Sequence, residues 1–336
     1  MTLGKVALEE HFLDRATVDR VLRDPDELAL VSAGGGVMPS YYEPIMHRLA
    51  DFDDARLTAM DDHGIECAVL SLTAPGVQRL TDVAQAVEAA QTANNMLAGQ
   101  VDRRPDRYAG FAAVALQDPD SAADELRRCV RELGFVGAMV NGYTNIGDAE
   151  HAAYYDAPEF DVFWSAAADL EVPVYLHPRP ALPGASAVLD GHPEMVGATW
   201  GFGTETATHA MRLVLGGVFD RHPTLQVVLG HLGEGLPAMI WRTQYCFDLN
   251  PFDKRLNKTI AEYFADNLHV TTSGNFSDQA LINAILTVGA DRIMFSVDYP
   301  YADTALAAEW IERAPISESD RRKIAYGNAR SLLGLG

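Results

Sequence analysis

Cysteine is scarce, three residues in 336, at positions 67, 129 and 246 with no CxxC spacing. That excludes a disulfide framework and a thiolate metal site, and it fits a reducing compartment. Cations are also short, with 26 Lys+Arg against 47 Asp+Glu and a formal charge of −21. Binding a phosphate backbone needs excess positive charge, so a nucleic-acid partner is excluded. No uninterrupted apolar run approaches the roughly 18 residues of a membrane helix, and the N-terminal segment meets two carboxylates where a signal peptide needs an apolar core. A soluble, cytoplasmic protein with no membrane partner is expected. The GxGxxG that follows the first strand of a dinucleotide-binding sheet is missing, and nothing else in the chain offers a site for an organic cofactor. What is present, 48% hydrophobic and 22% charged residues, is the composition of a folded globule with a large core.

Short apolar runs alternate with segments of helical period from end to end. The runs are KVALEEHF (5–12), ECAVLSLT (66–73), RYAGFAAVAL (107–116), FVGAMVNG (135–142), VPVYLH (172–177), LQVVLGH (225–231), LHVTTSG (268–274) and RIMFSVD (292–298). They show little polar alternation, as expected of strands covered by helices on one face and by packed side chains on the other. Eight such βα units without a break in composition predict an α/β fold, a single (β/α)₈ TIM barrel that forms one domain over 1–336. Two stretches, 23–46 and 178–202, are too long for simple connections and are expected to be loops acting as lids or subunit contacts.

Barrels of this kind carry their reactive groups at the C-terminal ends of the strands. Strand one ends on Glu9 and His11, two apart and so on one face. Strand five ends on His177, strand six on His231 and strand eight on Asp298. Each alone has a plain structural reading: His231 as a hydrogen-bonded strand end, Asp298 before Tyr299-Pro300 as a turn or helix cap. Together they point to a metal or acid/base site, with a carboxylate and imidazole set suited to Zn²⁺ or Mn²⁺ and acceptable to Mg²⁺. Around them, Phe12, Trp200, Tyr299 and Tyr301 are candidates for the apolar walls of a pocket, and Asn275 for a polar lining group or a Gly-Asn turn. Arg242 reads either as a partner for a substrate oxygen or as a surface arginine, and Arg179 is a second local cation that could offset the acidic field.

The Glu-x-His of strand one, HPR at 177–179, GHLGEGLPAMIWR at 230–242 and FSVDYP at 295–300 resemble the amidohydrolase superfamily, in its branch of metal-dependent aromatic-acid decarboxylases. LEEHF, DGHP, TWGFGTETATHA, TTSGNF and GNAR resemble that branch in order and spacing, so the likeness spans nearly the whole chain. It implies Glu9, His11, His177 and Asp298 as ligands of one divalent ion. It implies Asp298 as proton donor, and His231 with Glu234 as the pair serving the substrate. Binuclear relatives have a lysine on strand four, whereas FVGAMVNG has none and places Asn141 near that end, which favours a single ion. The implied activity is non-oxidative, reversible decarboxylation of an ortho-hydroxybenzoate, 2,6-dihydroxybenzoate to resorcinol and CO₂, by a homotetramer. A related substrate, 2,3-dihydroxybenzoate or salicylate, stays open: His11 favours the 2,6 isomer, whereas Tyr299 and Tyr301 stand where that type more often has Trp and Phe. A metal-dependent hydrolase of a lactone or amide is the alternative activity, and a non-catalytic barrel the third reading.

Overall fold

The computed structural model describes residues 3–336. Eight parallel strands form its centre: β1 Lys5–Phe12, β2 Ile65–Leu72, β3 Tyr108–Gly110 resumed at Ala112–Ala113, β4 Ala138–Asn141, β5 Val174–His177, β6 Val227–Leu229, β7 Leu268–Thr271 and β8 Ile293–Met294. β3 is interrupted at Phe111, so its first half pairs with β2 and its second half with β4. From there the order runs β4, β5, β6, β7, β8. The ring closes between β1 and the residues that follow β8, through a parallel bridge at Glu10 and Tyr299. There the His11 N–H donates to the Tyr299 carbonyl at 2.7 Å and the Asp298 N–H to the Glu9 carbonyl at 3.1 Å. The fold is the expected (β/α)₈ barrel.

Strand alternation sorts the core into two layers. Val6, Leu8, Val69, Ala109, Met139, Tyr175, Val228 and Met294 pack together inside the barrel, where Ala329 and Leu333 of the last helix join them. Ala7, Ala68, Leu70, Val140, Leu176 and Leu229 face outward into the larger cluster under the helices. In β1 this alternation slips. Ala7 pairs with Ala68 but Glu10 pairs with Leu70, so three residues of β1 run against two of β2. A bulge of this kind reverses which face the following side chains take. Leu8 faces in, and so do Glu9 and His11, while Glu10 and Phe12 are turned out.

The segment 23–46 is not a loop. It carries helices Pro25–Gly34 and Pro39–Leu49, preceded by Arg15–Arg23. Asp24 caps the second of these three by accepting from the Asp26 and Glu27 N–H groups, with Pro25 in the first turn. Val18, Val21, Tyr42, Ile45, Met46 and Leu49 give the three helices a core of their own. Gly34, Gly35 and Gly36 end the helix rather than extending a loop. In contrast, 178–200 has only 3₁₀ turns, Pro183–Leu189 and Pro193–Met195, before helix Gly201–Leu215 begins. Among the described residues no helix is long and apolar enough to cross a membrane.

His209 is fully buried on helix Gly201–Leu215, between the rings of Tyr154 and Tyr155, and its Nε2 accepts from the Tyr155 N–H at 3.3 Å. Burial, helped by Arg212, pushes its pKa down to about 3. Below the unfolded value of roughly 6.5 the unfolded chain takes up a proton that the folded chain refuses, so stability falls with falling pH. At pH 5 the loss from this group is about 2 kcal/mol. His209→Gln keeps an acceptor without the titration, and urea unfolding at pH 7 and pH 5 should show its acid-induced loss to be smaller than the wild type's by about that amount.

Candidate active site

The β1 bulge aims Glu9 and His11 up the barrel axis, and neighbouring strands hold them there. The Glu9 N–H donates to Ser296 Oγ at 2.6 Å. Glu9 Oε2 accepts from the Tyr175 hydroxyl, which also lies 2.7 Å from Thr271 Oγ1. His11 Nδ1 lies 3.3 Å from Ser71 Oγ on β2, which leaves Nε2 for the site. A Cβ on Gly230 would stand 2.7 Å from Glu9 Oε2, so only glycine lets β6 run past this carboxylate. The turn after β6 then places His231, Leu232 and Glu234 at φ of 54°, 56° and 54°. This left-handed run folds Glu234 back onto His231, with Oε1 2.6 Å from Nδ1.

One donor atom from each of Glu9, His11, His177 and Asp298 lies within 4.8 Å of the others. Glu9 Oε1 is 3.2 Å from His177 Nε2 and 3.9 Å from His11 Nε2, and His11 Nε2 is 3.3 Å from Asp298 Oδ1. Donors that share one ion at about 2.0–2.2 Å stand roughly 3–4 Å apart, so these spacings fit a divalent cation. Two atoms make the same point by a different route: Glu9 Oε1 and His11 Nε2 are buried and have no hydrogen-bond partner among the described residues. A buried polar atom left so costs about 1–3 kcal/mol, and a cation between them removes that cost. His231 stands beside the cluster, with Nε2 3.7 Å from Glu9 Oε1 and 3.9 Å from Asp298 Oδ2.

Charge sorts these groups by role. Burial alone would raise the Glu9 pKa, but His231, His177 and His11 together hold it well below the carboxylate range, so Glu9 is an anion. Burial lowers His11 and favours the neutral imidazole that a metal needs. His231 goes the other way. Burial opposes its charge, yet Glu234, Glu9 and Asp298 raise its pKa well above the usual histidine value, making it an imidazolium in the absence of other cations.

The remaining candidates are divided. Tyr301 is close, its ring 5.6 Å from that of His11 and its hydroxyl 2.6 Å from Thr73 Oγ1. Asn275 sits beside the site, but its amide donates to the His231 carbonyl at 3.1 Å, bracing the turn. Phe12 and Tyr299 are turned outward by the parity of β1 and of the seam. Phe12 packs on Phe52 and lines a separate cavity of about 680 Å³ with Tyr42 and Leu72, and Tyr299 lies on the Arg56 guanidinium. Trp200 is 58% exposed, and Arg242 is exposed on helix Leu236–Leu249. Arg179 is committed to the Tyr143 carbonyl at 2.7 Å and Asn145 Oδ1 at 2.9 Å. Tyr175, Ser71 and Thr271 also hold the site, and none of them ends an apolar run in a way that marks it. Tyr175 is two residues before His177 in VPVYLH, so the same period-two argument that pairs Glu9 with His11 points to it.

The sequence profile of the amidohydrolase family matches residues 11–335. The chain belongs to the amidohydrolase family. Within it, the gamma-resorcylate decarboxylase of Rhizobium radiobacter is 48% identical over 334 residues, 99% of this chain and 98% of that one. The crystal structure of a 2,6-dihydroxybenzoate decarboxylase complexed with 2,6-dihydroxybenzoate superposes with a TM-score of 0.92 at 47% identity, covering 100% of both chains. A dihydroxybenzoic acid decarboxylase from Polaromonas sp. JS666, solved with bound manganese and the inhibitor 2-nitroresorcinol, gives 0.92 at 45% identity over 100% of this chain and 98% of that one.

A cation bound at this amidohydrolase cluster has no counterpart in the unfolded chain, so it should stabilise the fold. Chelator-stripped protein given Mn²⁺ at about 100 times its dissociation constant should gain about 2.7 kcal/mol in urea unfolding. His177→Ala should abolish the gain and lower the metal bound per subunit in elemental analysis.

Proposed function

We propose that the chain is a metal-dependent carboxy-lyase that converts 2,6-dihydroxybenzoate to resorcinol and CO₂ and runs in reverse when CO₂ is abundant. The observation that carries this is the meeting of Glu9, His11, His177 and Asp298 at one point, beside a His231 locked by Glu234. Full-length identity of 47–48% to proteins named for that reaction supports it. We assign Glu9, His11, His177 and Asp298 as the ligands of one ion, Mn²⁺ in preference to Zn²⁺ or Mg²⁺, because a relative was solved with manganese. β4 contains no lysine to bridge a second ion.

A divalent ion held by these donors supplies positive charge that binds the substrate anion and stabilises charge on its oxygens. The residues do the proton work. Asp298 stands at the rim, on a backbone φ of 78°, and delivers a proton to the ring carbon that bears the carboxylate. A C–H bond forms there. The bond to the carboxylate then breaks, its electron pair returns to the ring, and CO₂ leaves. His231 faces both the site and Asp298, so it can hydrogen-bond a substrate hydroxyl and return a proton to Asp298 after turnover. Glu234 fixes the ring, and Asn275 fixes the turn that carries it. Tyr301 offers an aromatic edge beside His11.

Loss of the 2,6-dihydroxybenzoate absorption band with formation of resorcinol is the expected result. A product heavier than its substrate by one water would instead establish the lactone or amide hydrolase. Asp298→Asn should lower kcat by at least about 10³-fold with the fold intact, and activity near wild type would remove Asp298 from the donor role. 2,3-Dihydroxybenzoate and salicylate, tested in parallel, should turn over more slowly.

The chain is further assigned as a homotetramer of the cytoplasm. Met239, Trp241, Tyr245 and Leu249 are exposed along helix Leu236–Leu249, with the Trp241 and Tyr245 rings stacked at 5.4 Å, and Val188 is exposed in the 178–202 segment. Apolar surface of this extent on a soluble chain is accounted for by subunit contact. Three free thiols fit the reducing compartment. Light scattering should give about four times the 36.5 kDa chain mass; a monomer at working concentration would contradict the assignment.

A further inference from the structure

Three of the four donors lie on the seam that closes the barrel: Glu9 and His11 on β1, and Asp298 just past β8. This seam is the thinnest joint of the ring. β8 has two residues, and the pairing of its continuation with β1 is a single bridge at Glu10 and Tyr299. Asp298 is held there at φ 78°, a conformation that costs a non-glycine residue about 1–3 kcal/mol and persists only where its surroundings impose it. Two buried polar side chains on the outer face of the seam touch both of its edges. Glu10, turned outward by the bulge and 3% exposed, accepts from the Val297 N–H at 3.0 Å through Oε1, immediately before Asp298. Arg56, 2% exposed on helix Ala55–His63, donates to the His11 carbonyl at 2.5 Å and to the Asp51 carbonyl at 2.9 Å. Its guanidinium lies 4.5 Å from the centre of the Tyr299 ring, immediately after Asp298.

We propose that Arg56 and Glu10 are positioning residues that clamp this seam from behind and thereby set the spacing of Glu9, His11 and Asp298. Arg56 ties the backbone of one donor, His11, to the residue following another, Asp298. Glu10 ties β1 to the residue preceding it. Neither side chain enters the site, and each acts on the donors through the backbone. A buried arginine is suited to this because its planar fork can donate along two edges while its face stacks on an aromatic ring. The proposal rests on the reading that the cluster binds a divalent ion.

The test is the affinity of chelator-stripped protein for Mn²⁺ alone, read from the paramagnetic resonance signal of the ion, with thermal unfolding of the metal-free protein beside it. Arg56→Met and Glu10→Leu are expected to weaken Mn²⁺ binding about 10- to 100-fold, the range seen when groups that orient metal ligands are removed. Glu10→Gln keeps an acceptor for the Val297 N–H and should bind as the wild type does, so the Glu10 pair decides the matter even if Arg56→Met does not fold. Phe52→Leu serves as the control. Phe52 packs against the same guanidinium, 5.7 Å away, but holds no donor, and its loss should lower the melting temperature without changing Mn²⁺ affinity. Unchanged Mn²⁺ affinity in Arg56→Met and Glu10→Leu, or an equal loss in Phe52→Leu, overturns the proposal alone. Wild-type protein that binds no Mn²⁺ overturns the metal site and the proposal together.

Discussion

Glu9 is a carboxylate with no solvent exposure, ionised, with one oxygen bonded to Tyr175 and the other facing His11, His177 and His231 without a hydrogen bond to any of them. An arrangement that buries a charge and leaves an oxygen unsatisfied is expensive in a protein interior, and a bound cation is the group that turns the expense into affinity. Much of the local architecture exists to make this carboxylate point where it does. The β1 bulge turns it inward, Gly230 leaves room for it, and Tyr175 and Thr271 hold its far oxygen. Remove the bulge and Glu9 would face the helices, where Glu10 now sits.

The same arrangement accounts for how a chain of charge −21 can take an anionic substrate. The long-range field opposes such a ligand, so attraction must be local. Of the cations considered from the sequence, Arg179 is held by a backbone carbonyl and an asparagine, and Arg242 lies on an exposed helix face. Positive charge at the barrel mouth would come from an ion held by Glu9, His11, His177 and Asp298; without one, Glu234, Glu9 and Asp298 overcome the burial that opposes charge on His231 and raise its pKa well above the usual histidine value. Acidic residues around the rim help create the local cation that the substrate meets.

The eight strands were legible because each is an apolar run bounded by turn residues, a pattern that a barrel strand needs and a surface helix does not. Glu9 and His11 were legible as a pair through their spacing of two, and His177, His231 and Asp298 because they end their runs. The bulge was not. Nothing in LEEHF marks where alternation slips. Phe12 and Tyr299 face out for a simpler reason that the spacing alone carries: each follows an inward residue, His11 and Asp298. Tyr175 was overlooked because a tyrosine in an apolar strand reads as core, and its hydroxyl matters only once Glu9 is known to lie opposite. The helices within 23–46 were hidden by three consecutive glycines, which terminate a helix as readily as they form a loop.

The most direct test of the account is an anomalous-difference map at the manganese edge, from crystals of the chelator-stripped protein equilibrated with Mn²⁺. The account predicts one peak per subunit, about 2.0–2.3 Å from a donor atom of each of Glu9, His11, His177 and Asp298. A well-measured map with no peak among these four side chains, or with its peak elsewhere on the chain, would contradict it.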